Sequence, residues 1–136
     1  MAGKVVVDAV TARLEANWTL CAVIEDDTTG QGTGDGSPYV TLEFPVAVEN
    51  QITIGAPGNN VFRESGAFRI KLVSPTGQGL SQATSWIDQL RAIFRGKQFS
   101  GVTTYAPSPG VIDNSNYVGG KFVISSSVPY YTDLFA

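Results

Sequence analysis

Residues 61–75 carry the pattern that most restricts the fold, a strict alternation of apolar and charged side chains in their second half. The apolar positions of this stretch are Phe68, Ile70 and Leu72. Arg69 and Lys71 separate them and fall on the opposite face of an extended chain. Because successive strand residues point to opposite faces, the pattern predicts a long strand with one buried face. Gly66 predicts a bulge or tight bend within it, and Pro75 predicts its end.

The period of the apolar residues changes after the turn TGQG at residues 76–79. Residues 80–95 repeat apolar side chains at spacings of three and four, which predicts an amphipathic helix. Its apolar arc contains Leu80, Ala83, Trp86, Ile87, Leu90, Ile93 and Phe94. Trp86 shares the arc with Leu90, so it is interpreted as a core residue. Gly96 is suited to the left-handed conformation that commonly ends a helix.

A second helix is predicted near the N-terminus, at residues 3–18. Its proposed apolar face consists of Val7, Val10, Leu14 and Trp18. The small residues Ala9, Ala12 and Ala16 then fall on the opposite side. Small outward residues allow another backbone to approach closely, but alanine is also simply a good helix former.

Further strands are predicted on both sides of these elements. In residues 38–46 the apolar side chains alternate with Tyr39, Thr41 and Glu43, and Pro45 predicts a strand end or an edge position. The face shared by the apolar side chains holds Val40, Leu42, Phe44 and Val46. A short strand is expected at residues 51–54.

Two more extended segments are expected after the second helix, at residues 101–107 and 121–131. In the last of them Phe122, Ile124, Ser126, Val128 and Tyr130 share a face. The order of elements predicts an α+β fold, a mainly antiparallel mixed sheet flanked by two amphipathic helices. Residues 1–136 are expected to form a single domain, because 136 residues leave little room for a second core. Residues 25–38, rich in glycine, are expected to be a flexible loop within it.

The charge content is low for a globular chain. Only 15% of the residues are Asp, Glu, Lys or Arg, whereas about 25% is usual. Two explanations are open: partners cover part of the surface, or the protein is a monomer with a polar, uncharged surface. The net charge of −3 argues against nucleic acid as the main ligand, since phosphate binding needs clustered cations. The closest such cluster, Arg91, Arg95 and Lys97, lies where cations offset a helix dipole.

Catalytic residues are missing from the sequence. It contains no histidine, which removes the commonest general base and most zinc sites. Cys21 is the only cysteine and stands beside apolar residues, so it is interpreted as a buried structural residue in a reducing compartment. Asp26 and Asp27 lie in the glycine-rich loop, which does not match an EF-hand or a phosphate loop. We therefore expect no enzyme activity, no metal and no cofactor.

No membrane association is expected either. Asp8, Arg13 and Glu15 interrupt the apolar residues near the N-terminus, unlike a signal peptide. No run of about 18 apolar residues is present, so no membrane span is predicted. The expected compartment is a cytoplasm.

The order and spacing of these elements resemble those of phage tail terminator proteins. The first helix and the strand PYVTLEFPVA at residues 38–47 begin the pattern. The segment NVFRESGAFRIKLVSPTGQG at residues 60–79 follows, and then the helix that ends in IFRGKQF at residues 93–99. VPYY at residues 128–131 closes the last strand, so the resemblance covers nearly the whole chain.

The resemblance implies a virion protein of the phage tail, assembled in the host bacterial cytoplasm. Such proteins form a ring, typically a homohexamer, at the head-proximal end of the tail tube. The ring stops tube polymerisation and offers a surface for head–tail joining. The implied partners are further copies of the chain, the tail tube protein and the head–tail connector protein. DNA would pass through the lumen without specific binding, because like charges repel.

Two segments are candidates for contact with the tube or with a neighbouring subunit. One is the loop at residues 26–36, which contains Asp27 and Asp35. The other is the predicted bend, which contains Phe62, Arg63 and Glu64. Glycine-rich segments can become ordered on a partner, at a cost in conformational entropy.

Two alternatives remain open at this point. One is another head–tail joining or tail tube component, which in the case of a tube subunit would form long tubes when purified. The other is a small carbohydrate-binding module, for which exposed aromatic side chains would be needed. The candidates for that role are Tyr105, Tyr117, Tyr130 and Tyr131. Most of them are better explained as strand residues that pack against neighbours.

Overall fold

The computed structural model describes residues 2–24, 38–75, 80–113 and 121–136. Within these ranges two helices and seven strands follow one another along the chain. They are α1 (Lys4–Asn17), β1 (Ala22–Ile24), β2 (Tyr39–Gln51), β3 (Val61–Pro75), α2 (Leu80–Phe94), β4 (Gln98–Phe99), β5 (Val102–Thr104), β6 (Val111–Asp113) and β7 (Lys121–Phe135). The α+β class and both helices are confirmed, with helix ends within one residue of those predicted.

The strands form one mixed sheet with the order β1-β2-β3-β7-β5-β4, and β6 pairs separately with β7. β1 runs parallel to β2, and every other pairing is antiparallel. The long strands β2, β3 and β7 form the centre of the sheet. β3 and β7 pair without interruption from Val61 opposite Phe135 to Pro75 opposite Lys121.

The main core lies between one face of this sheet and both helices. β3 contributes Phe68, Ile70 and Leu72, as the alternation predicts, and all three have no exposed surface. From α2 the core receives Ala83, Ile87, Leu90 and Phe94, and from β7 it receives Ile124, Val128 and Tyr130. Both helices therefore cover the same face, which we call the helix face, rather than flanking the sheet on its two sides. The opposite face carries a smaller cluster of Tyr39, Val73 and Val123.

The buried face of α1 differs from the predicted apolar face. Val6, Ala9, Val10 and Leu14 are its buried residues. Ala9, predicted to point outwards, is only 8% exposed. The prediction used Trp18 to align the face, but Trp18 follows the helix in an extended conformation. Its ring reaches the core from outside the helical repeat and meets Trp86 edge-on, with the ring centroids 5.8 Å apart.

The irregularity predicted at Gly66 lies instead on the neighbouring strand. The β2–β3 register shifts between Glu43 and Val46, so that β2 has one extra residue around Pro45. β3 pairs with β7 without a register shift at Gly66. The predicted separate strand at residues 51–54 is also wrong, because β2 continues through Pro45 to Gln51. β1 pairs with β2 only as far as Thr41, so Pro45 occupies an edge position, where its missing N–H is tolerated.

The bulge changes which face the later side chains of β2 occupy. Val40 and Leu42 point into the core, but Val46 and Val48 point away from the helices and are 55% and 57% exposed. One extra residue reverses the alternation, because side chains in a strand have a period of two. The prediction that Val46 shares the face of Val40 is therefore wrong.

Candidate functional site

The far ends of the three long strands form a surface with both apolar and charged side chains. We call it the sheet tip; it comprises residues 46–51 of β2, 61–66 of β3 and 129–135 of β7. Three of the predicted interface residues, Phe62, Arg63 and Glu64, lie here on β3. Asp27 and Asp35 lie outside the described residues, so their relation to the sheet tip stays a prediction.

The three residues do not share one surface. Phe62 and Glu64 lie on the helix face, whereas Arg63 lies on the opposite face, because adjacent strand residues alternate. Phe62 is half-buried and lies opposite Gln51 of β2 and Leu134 of β7. The sheet tip therefore offers two chemically different faces to a partner.

Arg63 forms a bidentate ion pair with Asp133, which lies directly opposite it on the neighbouring strand β7. Arg63 Nε lies 2.7 Å from Asp133 Oδ1, and Nη2 lies 3.0 Å from Oδ2. The hydrogen bond from Arg63 lowers the pKa of Asp133. The guanidinium also lies 4.5 Å from the ring centroid of Tyr131. The tilted rings of Tyr131 and Tyr105 are 5.8 Å apart, which extends this group towards β5.

Glu64 joins the sheet to the start of α1. Its two carboxylate oxygens lie 3.1 and 3.3 Å from the backbone nitrogen of Gly3, which donates to them, and Gly3 is the N-cap of the helix. The hydroxyl of Tyr130 donates to the same carboxylate at 2.9 Å. Burial, together with this hydrogen bond, raises the pKa of Tyr130. A carboxylate at a helix N-terminus is also favoured by the helix dipole.

A groove of about 240 Å³ opens beside Glu64 on the helix face. Residues 3–6 at the start of α1 form one wall, and residues 132–134 of β7 lie on the other side. Glu49 completes it from β2, where it lies directly opposite Glu64 in the strand register. Val5 and Leu134 give the groove an exposed apolar rim, at 64% and 55% exposure. We call it the acidic groove.

Exposed apolar side chains continue along the edge of the sheet tip. Val46 and Val48 lie on the edge strand β2, Ile52 and Ile54 follow its end, and Leu134 and Phe135 lie at the end of β7. Beyond Thr41 no described strand pairs with the outer side of β2, so its backbone is open there. An open edge with apolar side chains readily pairs with another polypeptide.

Gly66 allows the strands of the sheet tip to pack closely. A Cβ atom built on it would lie 2.1 Å from the carbonyl oxygen of Val46 and 3.0 Å from the Cα of Ala47. Gly66 is therefore needed for a close approach of two backbones, rather than for a bulge in its own strand.

Several other residues singled out in the sequence lie elsewhere. Cys21 is half-buried rather than fully buried; it packs against the core and accepts a hydrogen bond from Trp18 Nε1 at 3.2 Å. Burial raises the pKa of its thiol. Tyr130 is 2% exposed and cannot serve as a ligand platform, whereas Tyr105 is 50% exposed. Tyr117 lies outside the described residues.

Within the described ranges, no group of three or more Cys, Asp or Glu side chains is placed to hold a metal ion. Neither α1 nor α2 has the length and apolar composition of a membrane span.

Sequence reasoning missed Asp133, Glu49 and Leu134, which complete the sheet tip. The predicted last strand ended at residue 131, but β7 continues to Phe135. The available signal was strand propensity, since Tyr131, Thr132 and Phe135 are of residue types enriched in strands. Glu49 gave no such signal, because its importance comes from the pairing with Glu64 across two strands.

Comparison with known proteins agrees with the resemblance seen in the sequence. Residues 5–130 match a protein family described as phage tail terminator protein. None of the curated proteins matches the chain. The family match spans most of the sequence: it covers β2, β3 and α2 completely, α1 from Val5, and β7 as far as Tyr130. The chain therefore belongs to the phage tail terminator family and is a structural protein of a phage tail.

Proposed function

We propose that the chain forms a ring at the head-proximal end of the tail tube, where it ends tube polymerisation and provides the surface for head–tail joining. Family membership supports this role in general terms. The ring is proposed to be a homohexamer that contacts the tail tube protein on one side and the head–tail connector on the other. Its assembly is proposed to take place in the host cytoplasm, without an enzymatic step.

The observation that carries the proposal is the open, apolar edge of the sheet tip. Val46 and Val48 are more than half exposed, and Ile54 is fully exposed. An isolated domain would be prone to aggregate through such an edge, since unpaired backbone groups and apolar side chains occur together there. A subunit whose edge is covered in an assembly avoids this problem. The low charge content of the chain fits the same explanation.

The interface is proposed to include both faces of the sheet tip, through Phe62, Arg63 and Glu64. Arg63, with Asp133 and Tyr131, would present a preformed polar surface on one side. On the other side, Phe62 would offer an apolar ring and Glu64 would line the acidic groove with its carboxylate. Asp27 and Asp35 are proposed to contact the tube from the glycine-rich loop.

DNA is proposed to pass through the ring without specific binding. Arg63 is paired with Asp133, and both Arg69 and Lys71 are paired with Glu43. These pairs lower the positive charge available to phosphates, although Arg69 and Lys71 share one carboxylate, and the net charge of −3 adds repulsion.

Purified protein imaged by negative stain, alone and with purified tube protein, tests the proposal. A ring-forming terminator stops at a single ring and shortens tubes when it is added during their polymerisation. A tube subunit would instead form long tubes alone.

Substitution of the sheet tip tests the role of its residues during phage assembly. Arg63→Gln combined with Glu64→Gln should yield tails of abnormal length or tails that fail to join heads. Tails of normal length that join heads would overturn the assignment of these residues to the interface. Gln82→Ser, at an exposed position of α2 outside the sheet tip, serves as the control.

A further inference from the structure

The acidic groove contains two carboxylates without a balancing cation. Glu49 and Glu64 lie directly opposite each other on neighbouring strands, an arrangement in which like charges repel. Glu49 has no hydrogen-bond or ion-pair partner among the described residues. Lys4 also borders the groove, but its ammonium is 2.5 Å from Asp8. Arg63 points to the opposite face, where it is paired with Asp133. The groove is therefore suited to a cationic group from outside the chain.

The chain itself carries a basic segment without partners. Arg95 and Lys97 are exposed and have no ion pair or side-chain hydrogen bond within the described ranges. The other basic side chains described there are engaged with a carboxylate, a carbonyl or an aromatic ring. We call residues 95–97 the basic turn.

The basic turn is held in place by its backbone. Gly96 has a φ of +57°, and its N–H donates to the carbonyl of Tyr105. The N–H of Lys97 donates to Thr104 Oγ1 at 3.1 Å, and the carbonyl of Lys97 accepts from the N–H of Thr104 at 2.8 Å. A segment already fixed in this way loses little conformational freedom when a partner binds it.

Glu49 of the groove and the basic turn lie at opposite edges of one sheet. A single row of paired residues crosses five strands, from Glu49 through Glu64, Thr132 and Val102 to Phe99. Glu49 stands at the β2 edge of this row, and Phe99 stands at the β4 edge, two residues after Lys97. With strands about 4.8 Å apart, the row is roughly 19 Å long. In the strand register, the acidic groove and the basic turn therefore lie at nearly the same position along the strand direction.

We propose that the basic turn of one copy docks in the acidic groove of the next copy, in a head-to-tail contact that repeats around the ring. The inference rests on the proposed ring and names the surfaces that join its subunits. Two different surfaces on opposite edges are what a heterologous contact requires. Charge complementarity commits the groove to this occupant. Glu49 has no described partner and Glu64 has only the neutral donors of Gly3 and Tyr130, whereas Arg95 and Lys97 are cations without a described carboxylate partner.

Paired charge reversals test the contact. Glu49→Lys alters only the groove, and Arg95→Glu with Lys97→Glu alters only the turn. Each variant alone should lose the ring, as measured by mass photometry and negative stain at low salt. Mixed in equal amounts, the two variants should recover part of the ring, because every second contact in an alternating ring is then wild-type, and the reversed turn meets the introduced lysine at the others. Added salt should reduce the recovered ring, since exposed charges are screened.

Circular dichroism and urea unfolding provide the folding check. Glu49→Gln and Arg95→Gln with Lys97→Gln are milder variants of the same sites, and they should weaken the ring even if a reversal disturbs folding. Rings of unchanged abundance in every folded variant would overturn the proposed contact and leave the proposed function intact. A wild-type chain that forms no ring with or without tube protein would contradict the proposed function, and this contact with it.

Discussion

The carbonyl oxygen of Val46 occupies the space that a side chain on Gly66 would need, 2.1 Å from an ideal Cβ position. The two residues lie on neighbouring strands just after the bulge in β2. The bulge therefore depends on a glycine in the partner strand. It also directs Val46 and Val48 away from the core and so creates the apolar edge of the sheet tip.

Gly66→Ala should destabilise the protein, because the β2 backbone must move to admit a methyl group. Overpacking of this kind typically costs about 1–3 kcal/mol of unfolding free energy. The measurement is urea unfolding, with Ser65→Ala as the control, because Ser65 is exposed on the adjacent position of β3. Equal unfolding midpoints for Gly66→Ala and the wild type would contradict the close approach.

Thr104→Val should destabilise the segment that carries the basic turn. The hydroxyl of Thr104 is buried, donates to the carbonyl of Phe94 at 2.5 Å and lies 3.1 Å from the N–H of Lys97. Replacing it with a methyl group leaves buried polar groups without partners, at roughly 1–3 kcal/mol. Thr103→Val, on the opposite face of the same strand, should change the unfolding free energy by less than about 0.5 kcal/mol. Similar losses in the two variants would count against this role of Thr104.

The Arg63–Asp133 pair should make the free energy of unfolding decline as the pH falls into the acid range. The pKa of Asp133 is lower in the folded protein than in the unfolded chain, where it is about 3.9. The ionised carboxylate therefore stabilises the fold fully above the unfolded pKa, and this stabilisation is lost as the pH falls through the folded pKa. Asp133→Asn should therefore flatten the decline in unfolding free energy between about pH 5 and pH 2. Arg63→Gln should flatten it similarly, since Asp133 then titrates without its guanidinium. Unchanged slopes in both variants would show that the pair does not stabilise the fold.

The apolar edge should respond to a single charge. Val48→Lys places a cation at an exposed position on the open side of β2 and should reduce self-association of the chain, because charged edge residues oppose strand pairing. Analytical ultracentrifugation measures this as a lower average mass at equal concentration. Gln82→Lys, on the exposed side of α2, adds the same charge away from the edge. An equal fall in mass for both variants would point to net charge rather than to the edge.

Short-range patterns predicted the core well. Phe68, Ile70 and Leu72 were placed by strand alternation, and Ile87 and Leu90 by helical spacing, because each pattern reflects one face of one element. Gly96 was likewise recognised as the end of α2, and its φ of +57° agrees with that role.

Features that depend on two distant segments were not predictable in this way. Val46 was placed on the wrong face because the bulge is set by Gly66 across the strand pair, not by the sequence of β2 alone. Glu64 was recognised as an interface candidate, but not as the acceptor for Gly3, which lies 61 positions earlier. The opposition of Glu49 and Glu64 requires the β2–β3 register, which no local pattern contains.

The mass of the purified protein, with and without tail tube protein, tests the central claim most directly. The proposed terminator gives one discrete species of ring mass, seen as closed rings by negative stain, and shortens tubes assembled in its presence. Continuous tubes formed by the protein alone, or tubes of unchanged length in its presence, would contradict the account.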